Sequence, residues 1–466
     1  MRGRRVTKRI SDVAVIGAGV VGTAVARELA RRGCSVNIIE AKSDVGAGIS
    51  KANTAILHTG FDATPGSIEP RLVRRGHDLL ADYAMRCGIA VERTNALMVA
   101  WNVEQLAQLD VVAEKSIANG HLEIERIDER EVARMEPHLS ASACGGLVIK
   151  GEFIIDPWSV PIAFARDALS YGAEFTNQAN VIDIEIGDEV TTVHTSIGEV
   201  LSRFVVNAAG LNGGLIDEMF TGKRFTITPR RGELIVFDKF ARNLVSHIIL
   251  PVPQKHTKGM LVTPTVFGNL MVGPTADDID DPTATGSTRD GIARVLAAAY
   301  RLVPALRNEE ITAVYSGLRA ATEDSDYRLF TDPALRYIGL GGIRSTGLSA
   351  SMALAEEACA RLIECGLSVG ESPENSIGVR MPPLGERQRR PADEGEACVC
   401  FCERVSAIEV IDACKSPIGA MNLDGLRRRT RAVNGKCQGF YCLADVCALA
   451  AQTTATPVEQ WLAGSK

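Results

Sequence analysis

Residues 10–40 read ISDVAVIGAGVVGTAVARELARRGCSVNIIE. The run at 13–16 is apolar and rich in β-branching, as expected of a parallel strand buried on both faces. Gly17, Gly19 and Gly22 follow at G-x-G-x-x-G spacing, a helical pattern continues to Gly33, and a second apolar strand at 36–39 ends in Glu40. Each part has a physical task. Gly17 permits a tight turn, Gly19 lets a pyrophosphate approach the backbone, and Gly22 lets the helix pack closely on the strand. The helix N-terminus, with Val20 and Val21 in its first turn, offers unpaired N–H groups to the phosphates. Glu40 can accept hydrogen bonds from the ribose hydroxyls of an adenosine. Strand, glycines, helix, strand and terminal acid together predict dinucleotide binding.

A chain of 466 residues is long enough for two or three domains. Its 46% hydrophobic and 23% charged residues are ordinary for a globular protein, and a net charge of −6 gives no reason to expect nucleic-acid binding. No apolar stretch follows the basic first ten residues, and no apolar run approaches the ~18 residues of a spanning helix. The expected location is therefore cytoplasmic, or peripheral on the inner membrane face. Of twelve cysteines, five are scattered before residue 366 and seven crowd in from residue 398 onward. Such crowding points to metal ligation rather than disulfides.

After Glu40, residues 41–62 (AKSDVGAGISKANTAILHTGFD) lack a clear period and read as loop to about Ile56. Ser50, Lys51, Asn53 and Thr54 are its candidate cofactor contacts. His58, by position alone, is equally readable as a structural histidine. A helix is expected over 71–86, and residues 146–159 (GLVIKGEFIIDPWS) suggest a hairpin or sheet edge. Asp156 is the expected N-cap of a helix at 160–169. A strand at 180–186, carrying Val181 as a candidate cofactor contact, leads through a hairpin to FVVNAAG at 204–210. There Ala208, Ala209 and Gly210 supply a small-residue turn suited to cofactor approach.

Residues 226–330 alternate apolar runs with turns, as in a mostly antiparallel sheet. Arg230 and Arg231 precede a strand within it, Arg319 follows in YSGLRAATED, and Arg344 sits in LGGIRSTGLSAS. The planar forks of Arg319 and Arg344 suit a carboxylate or phosphate. The strand at 337–340 runs into Gly341 and Gly342 before a helix near Ser349. Residues 366–397 are rich in Gly, Pro and charge and read as a linker. Beyond it, Cys400 and Cys402 stand one residue apart, Cys437 and Cys442 four apart, with 34 residues between the pairs. Four thiolates could serve zinc or an iron–sulfur cluster.

The opening motif, with the serine- and asparagine-containing loop that leads to His58-Thr59-Gly60, resembles the FAD-dependent oxidoreductases of the D-amino-acid-oxidase superfamily. The FAD-dependent glycerol-3-phosphate dehydrogenases are the nearest relatives it suggests. The resemblance implies a Rossmann-like α/β FAD-binding domain with an inserted, mostly antiparallel substrate domain. Nucleotide-binding parts would lie at about 10–90, 150–215 and 330–365, and substrate-domain parts at 91–149 and 216–329. It implies flavin contacts at Gly342, Ser345, Thr346 and Gly347, His58 as base, and Arg319 and Arg344 as anion anchors. In many such enzymes an arginine follows the histidine by four residues; Asp62 stands here.

VCFCERV, DGLRRRTRA and GKCQGFYC resemble the small helical 2Fe–2S domain named after bacterioferritin-associated ferredoxin, over about 398–450. That resemblance selects a 2Fe–2S cluster on Cys400, Cys402, Cys437 and Cys442, with Cys398 as the rival ligand. The run at 427–431 is then either solvated, a balance for the cluster's charge, or a contact for a redox partner. The expected activity is a dehydrogenase acting on a small anionic hydroxy substrate, foremost sn-glycerol 3-phosphate. Electrons would leave through the cluster to a quinone or protein acceptor, additional subunits being compatible. The alternatives are an L-2-hydroxyglutarate or amino- or imino-acid dehydrogenase, and a non-catalytic electron-transfer subunit.

Overall fold

Apolar strands alternating with amphipathic helices bury their common face by forming a parallel sheet with helices packed against it. The computed structural model describes residues 9–222, 224–253, 259–371, 378–387 and 396–463. Its eight-stranded sheet has Ile10–Ile16 parallel to Val36–Ile39 on one side and to Gly198–Asn207 on the other. Glu174–Thr176 extends the parallel set beyond Val36–Ile39, and Tyr337–Gly341 pairs in parallel with the last residues of Gly198–Asn207. Val181–Ile186 and Thr191–Thr195 form the predicted hairpin at its edge. Against this sheet lie the helices Val20–Arg31, Ser159–Ser170 and Gly347–Glu364, with Val13, Val15, Leu29, Phe164, Val206 and Leu362 sealed in the core.

A nine-stranded sheet covers the second region. Thr228–Phe237 pairs with Ile311–Ala321 along almost its whole length, and the sheet continues through Leu270–Gly273, Leu261–Pro264 and Ile248–Pro251 to Ala96–Ala100. Pairing is antiparallel throughout except between Ile248–Pro251 and Ala96–Ala100. A three-stranded sheet of Ile56–Leu57, Phe153–Ile155 and Val91–Glu92 stands apart from both large sheets.

Two expectations need correction here. The strands Gly145–Ile149 and Phe153–Ile155 join different sheets and form no hairpin. The turn between them redirects the chain, with Gly151 at φ 85°. The helix after Asp156 spans Ser159–Ser170 with Trp158 at the N-cap. Asp156 still serves that first turn, accepting the N–H groups of Trp158 and Ser159 at 2.9 and 3.2 Å.

The carboxy-terminal unit is a short hairpin, Cys398–Cys400 with Val405–Ser406, followed by the helices Ala407–Lys415, Leu423–Thr430, Leu443–Thr454 and Val458–Ala463. Val405, Leu426, Val446 and Trp461 form a core of its own. Ser406 and Glu409 make a reciprocal capping box at its first helix. Of the expected linker, 372–377 and 388–395 lie outside the described residues. The rest is laid against the main body: Met381 N–H donates to the Cys87 carbonyl, and Leu384 is buried. No described helix is long and apolar enough to cross a membrane.

Candidate active site and cysteine centre

At the carboxyl end of Ile10–Ile16 the glycines leave no room for side chains. A Cβ on Gly22 would lie 1.9 Å from the Gly17 carbonyl oxygen, and one on Gly17 would lie 2.5 Å from that of Ala208. Gly17 also has φ 105°, a backbone that other residues resist. The first-turn N–H groups of Val21 and Gly22 have no intrahelical acceptor, as at any helix start, while that of Val20 is held by Ser50 Oγ at 2.9 Å. Glu40 accepts the Ala18 and Lys42 N–H groups, both at 2.8 Å. Burial pushes its carboxyl up, with those two N–H groups opposing. Ala208 donates its N–H to Ile16, Ala209 to the Asn207 side chain, and Gly210 adopts φ 57°. Val181 lies half-buried at the adjoining hairpin.

The other predicted contacts are divided. Asn53 braces its own loop through Ser50 and Ala55, and its carbonyl accepts the Tyr315 hydroxyl at 2.8 Å. Thr54 is half-buried beside it. The Lys51 ammonium instead reaches Asp424 of the carboxy-terminal unit, at 3.1 Å. Gly342 is tucked against Asp326 and Arg328, and Gly347 opens the helix Gly347–Glu364. Thr346 Oγ1 donates to Glu69 and contacts the Tyr327 hydroxyl, while Ser345 is exposed.

His58 connects these parts, since its N–H donates to Ser349 Oγ in the first turn of that helix at 2.8 Å. The Gly60 N–H points at His58 Nδ1 from 2.8 Å, so a neutral ring carries its proton on Nε2. Nε2 faces Asp62 Oδ1 at 3.5 Å, and Nδ1 lies 3.5 Å from the buried Glu152. Asp62 and Glu152 were not singled out as partners; the i, i+4 spacing of His58 and Asp62 was the available signal.

Arg319 lies on a hollow made by glycines. Across the strand pair, Arg230 faces Arg319 and Gly232 faces Gly317. A Cβ on Gly232 would meet Arg319 Nη2 at 3.2 Å, and one on Gly317 would strike the Ala52 carbonyl at 2.2 Å. The Arg319 guanidinium has no acidic partner among the described residues; its one hydrogen bond goes to the Thr275 carbonyl at 3.4 Å. Burial, then repulsion from Arg230, pulls it down to about 10. A desolvated cation without a counter-charge is the arrangement an anionic ligand completes. Arg344 differs: its fork reaches Glu69 at 3.5 Å and the Ser325 carbonyl.

In the carboxy-terminal unit the Cys402 and Cys437 thiols influence each other's ionisation, as do those of Cys400 and Cys442, and charge on each pair is felt at the other. The Tyr441, Cys402, Gly439 and Phe440 groups that donate to Cys437 hold its thiol below the usual range, Tyr441 most. Burial and then Cys400 push Cys442 up to about 12. Val433, Gln438 and Gly439 around these thiols all have left-handed backbones. Among the described residues no group of three or more His, Cys, Asp or Glu could hold a single metal ion. The thiols stand as two pairs.

Three arginines of the run at 427–431 are buried, while Arg427 is half-exposed. Arg428 and Arg429 are buried and both bind Asp44, at 2.6 and 2.7 Å. Arg431 pairs with the buried Glu403 at 2.8 Å and lies 4.1 Å over the Phe267 ring. Phe267 stacks on Trp158 at 5.2 Å, and Trp158 donates its indole N–H to the Lys51 carbonyl. A continuous stack therefore links the 50–54 loop to the residue after Cys402.

With this geometry in hand, the comparisons with known proteins are decisive for the family. The DAO family, described as FAD dependent oxidoreductase, matches residues 12–361. The chain belongs to it. Across 95% of its length it is 33% identical to a glycerol 3-phosphate dehydrogenase of Caloramator mitchellensis, 94% of which is covered. It is 29% identical to a glycerol 3-phosphate oxidase of Mycoplasma pneumoniae, over 74% of this chain and 93% of that one. Among solved structures, the dithionite-reduced L-alpha-glycerophosphate oxidase of Mycoplasma pneumoniae with FAD bound superposes with a TM-score of 0.75 at 26% identity, over 80% of this chain and 99% of that one. This DAO chain is thus an FAD-dependent oxidoreductase similar to glycerol 3-phosphate dehydrogenases, and its glycine loop, Glu40 and the 208–210 turn fit that cofactor. Gly19→Val, whose Cβ would meet only Ser50 Oγ at 3.2 Å, is expected to yield folded protein without flavin, read as loss of visible flavin absorbance after gel filtration with circular dichroism unchanged.

Proposed function

We propose that this protein oxidises sn-glycerol 3-phosphate to dihydroxyacetone phosphate and passes the electrons through a 2Fe–2S cluster to a quinone or protein acceptor. The observation that carries the substrate reading is the half-buried Arg319 fork, which has no acidic partner among the described residues and which a phosphate would complete. FAD, when bound, supplies the hydride-accepting centre. Arg319 holds the phosphate and thereby orients the carbinol. The His58–Asp62 pair takes the hydroxyl proton. With Gly60 occupying Nδ1, the accepting oxygen is on Asp62 and His58 Nε2–H steadies the charge that develops. Asp62 stands where many relatives place an arginine, so the anion site here is one-sided, on the sheet bearing Arg319. A dicarboxylate such as 2-hydroxyglutarate would have to bring its second charge toward Asp62.

The pairing of the thiols supports a binuclear cluster over zinc, because each iron of a 2Fe–2S centre takes two thiolates whereas zinc gathers four on one ion. Cys402 with Cys437 and Cys400 with Cys442 would be the two ligand pairs. The similarity to the Caloramator mitchellensis dehydrogenase extends over 95% of the chain, while the similarity to the Mycoplasma pneumoniae oxidase covers 74%. The unit bearing these thiols thus accompanies the relative named a dehydrogenase. Cys442→Ser is expected to remove the cluster's visible absorption and iron content while leaving bound FAD. Retention of both would reject these ligands. As a test of the activity, turnover with sn-glycerol 3-phosphate and an artificial one-electron acceptor should give dihydroxyacetone phosphate with little hydrogen peroxide in air. Peroxide equal to product would mark an oxidase instead.

A further inference from the structure

Ala18, the residue between the first two glycines, is gripped from both sides. Its N–H donates to Glu40, and its carbonyl accepts the Gly46 N–H at 2.9 Å. The turn that carries Gly46 is itself held from outside by the carboxy-terminal unit. Arg428 donates to the Val45 carbonyl at 2.5 Å and to Asp44 at 2.6 Å, and Arg429 places both arms of its fork on Asp44 at 2.7 Å. Asn422, the cap of the helix Leu423–Thr430, donates to Ser43 Oγ at 3.0 Å, and Asp424 holds Lys51. One short helix thus spans residues 43–51, the segment that also supplies Ser50 to the N-terminus of Val20–Arg31. The fit is close: a Cβ on Gly425 would lie 2.5 Å from Asp44 Oδ2. Asp44 is 1% exposed, so two buried guanidiniums and one buried carboxylate depend on this docking.

We propose that the helix Leu423–Thr430 is the outer wall of the dinucleotide site, and that Arg428 and Arg429, through Asp44, are positioning residues for FAD. The docked unit holds 43–51 against the glycine loop, so cofactor affinity depends on contacts made by a region nearly 400 residues away in sequence. The inference rests on the FAD assignment and is independent of whether the thiols hold a cluster. Undocking raises the freedom of the segment that Ala18 and Ser50 need in place, and the loss appears in cofactor affinity.

The test is the FAD dissociation constant of the full chain, from flavin released and rebound by the apoprotein, for wild type, Arg429→Ala, Arg429→Lys and Asp44→Asn. Lys239→Ala, which removes ion pairs to Glu386 of the linker and Glu403 of the unit and leaves the contacts on Asp44 in place, is the control. Arg429→Ala and Asp44→Asn are expected to weaken FAD binding by about tenfold or more, since the first removes the bidentate grip on Asp44 and the second leaves two buried guanidiniums without their carboxylate. Arg429→Lys keeps the charge but loses the bidentate fork, and is expected to fall between them and wild type even if the alanine variant does not fold. Lys239→Ala is expected to bind FAD within about twofold of wild type. FAD binding in Asp44→Asn and Arg429→Lys equal to wild type would overturn the proposal, as would an equal loss in Lys239→Ala. Failure of wild type itself to bind FAD would instead reject the cofactor assignment.

Discussion

Replacing Arg319 with methionine is expected to lower kcat/KM for the anionic substrate by about 10²–10³-fold with FAD still bound. That is the loss expected when a desolvated charge loses its partner. Methionine keeps apolar volume over the Gly232–Gly317 hollow, so packing of the strand pair is largely retained. Most of the loss should fall on KM if Arg319 binds ground state and transition state alike, and on kcat if it aligns the carbinol for hydride loss. The same residue sets a pH signature. Only the charged guanidinium binds the anion, and burial has brought it down to about 10. KM is therefore expected to rise as pH increases through that region, more steeply than a guanidinium of ordinary basicity would allow. Bound substrate should move the transition upward, because the anion favours the charged form. A KM flat to pH 11 would remove Arg319 from the anion site (~1 unit above the transition).

The second large effect concerns the proton. His58→Asn is expected to slow reduction of bound flavin by substrate about 10²–10⁴-fold, because it breaks the pair that holds Asp62 as the proton acceptor. Asp62→Asn should fall by a comparable factor, since the Gly60 N–H on Nδ1 leaves the His58 ring proton facing that carboxylate. Measuring the single-turnover reduction rate separates this step from later electron transfer. A full rate in His58→Asn would refute its role. A full rate in Asp62→Asn with a slow His58→Asn would mean that the histidine alone accepts the proton and the Gly60 contact breaks in the complex.

What could be read from the chain follows the range of the interactions concerned. The strand–glycine–helix unit is encoded within about thirty consecutive residues, and its spacing alone predicts the cradle in which a Gly22 Cβ has no place. Arg319 reads in sequence as part of a glycine-rich turn between apolar runs; it stands instead within the strand Ile311–Ala321, and only the pairing that sets Gly232 opposite Gly317 makes the hollow it lies on. Nor was the arginine run at 427–431 legible. Its count of charges says nothing of Asp44, which lies in a loop 384 or more residues earlier and is sealed only when the two regions meet. Residues 146–159 failed as a hairpin because two adjacent strands were claimed by separate sheets, a tertiary choice that alternation cannot show. Arg344 looked equivalent to Arg319 in sequence, yet Glu69, on a helix from the far side of the chain, already engages it.

The most direct test of the account is anaerobic mixing of the FAD-loaded protein with sn-glycerol 3-phosphate, L-2-hydroxyglutarate and a set of amino acids, followed at the flavin absorption band. The account predicts rapid bleaching by sn-glycerol 3-phosphate, with dihydroxyacetone phosphate formed in the amount of flavin reduced. Bleaching by L-2-hydroxyglutarate or an amino acid, with none by the phosphate, would contradict it.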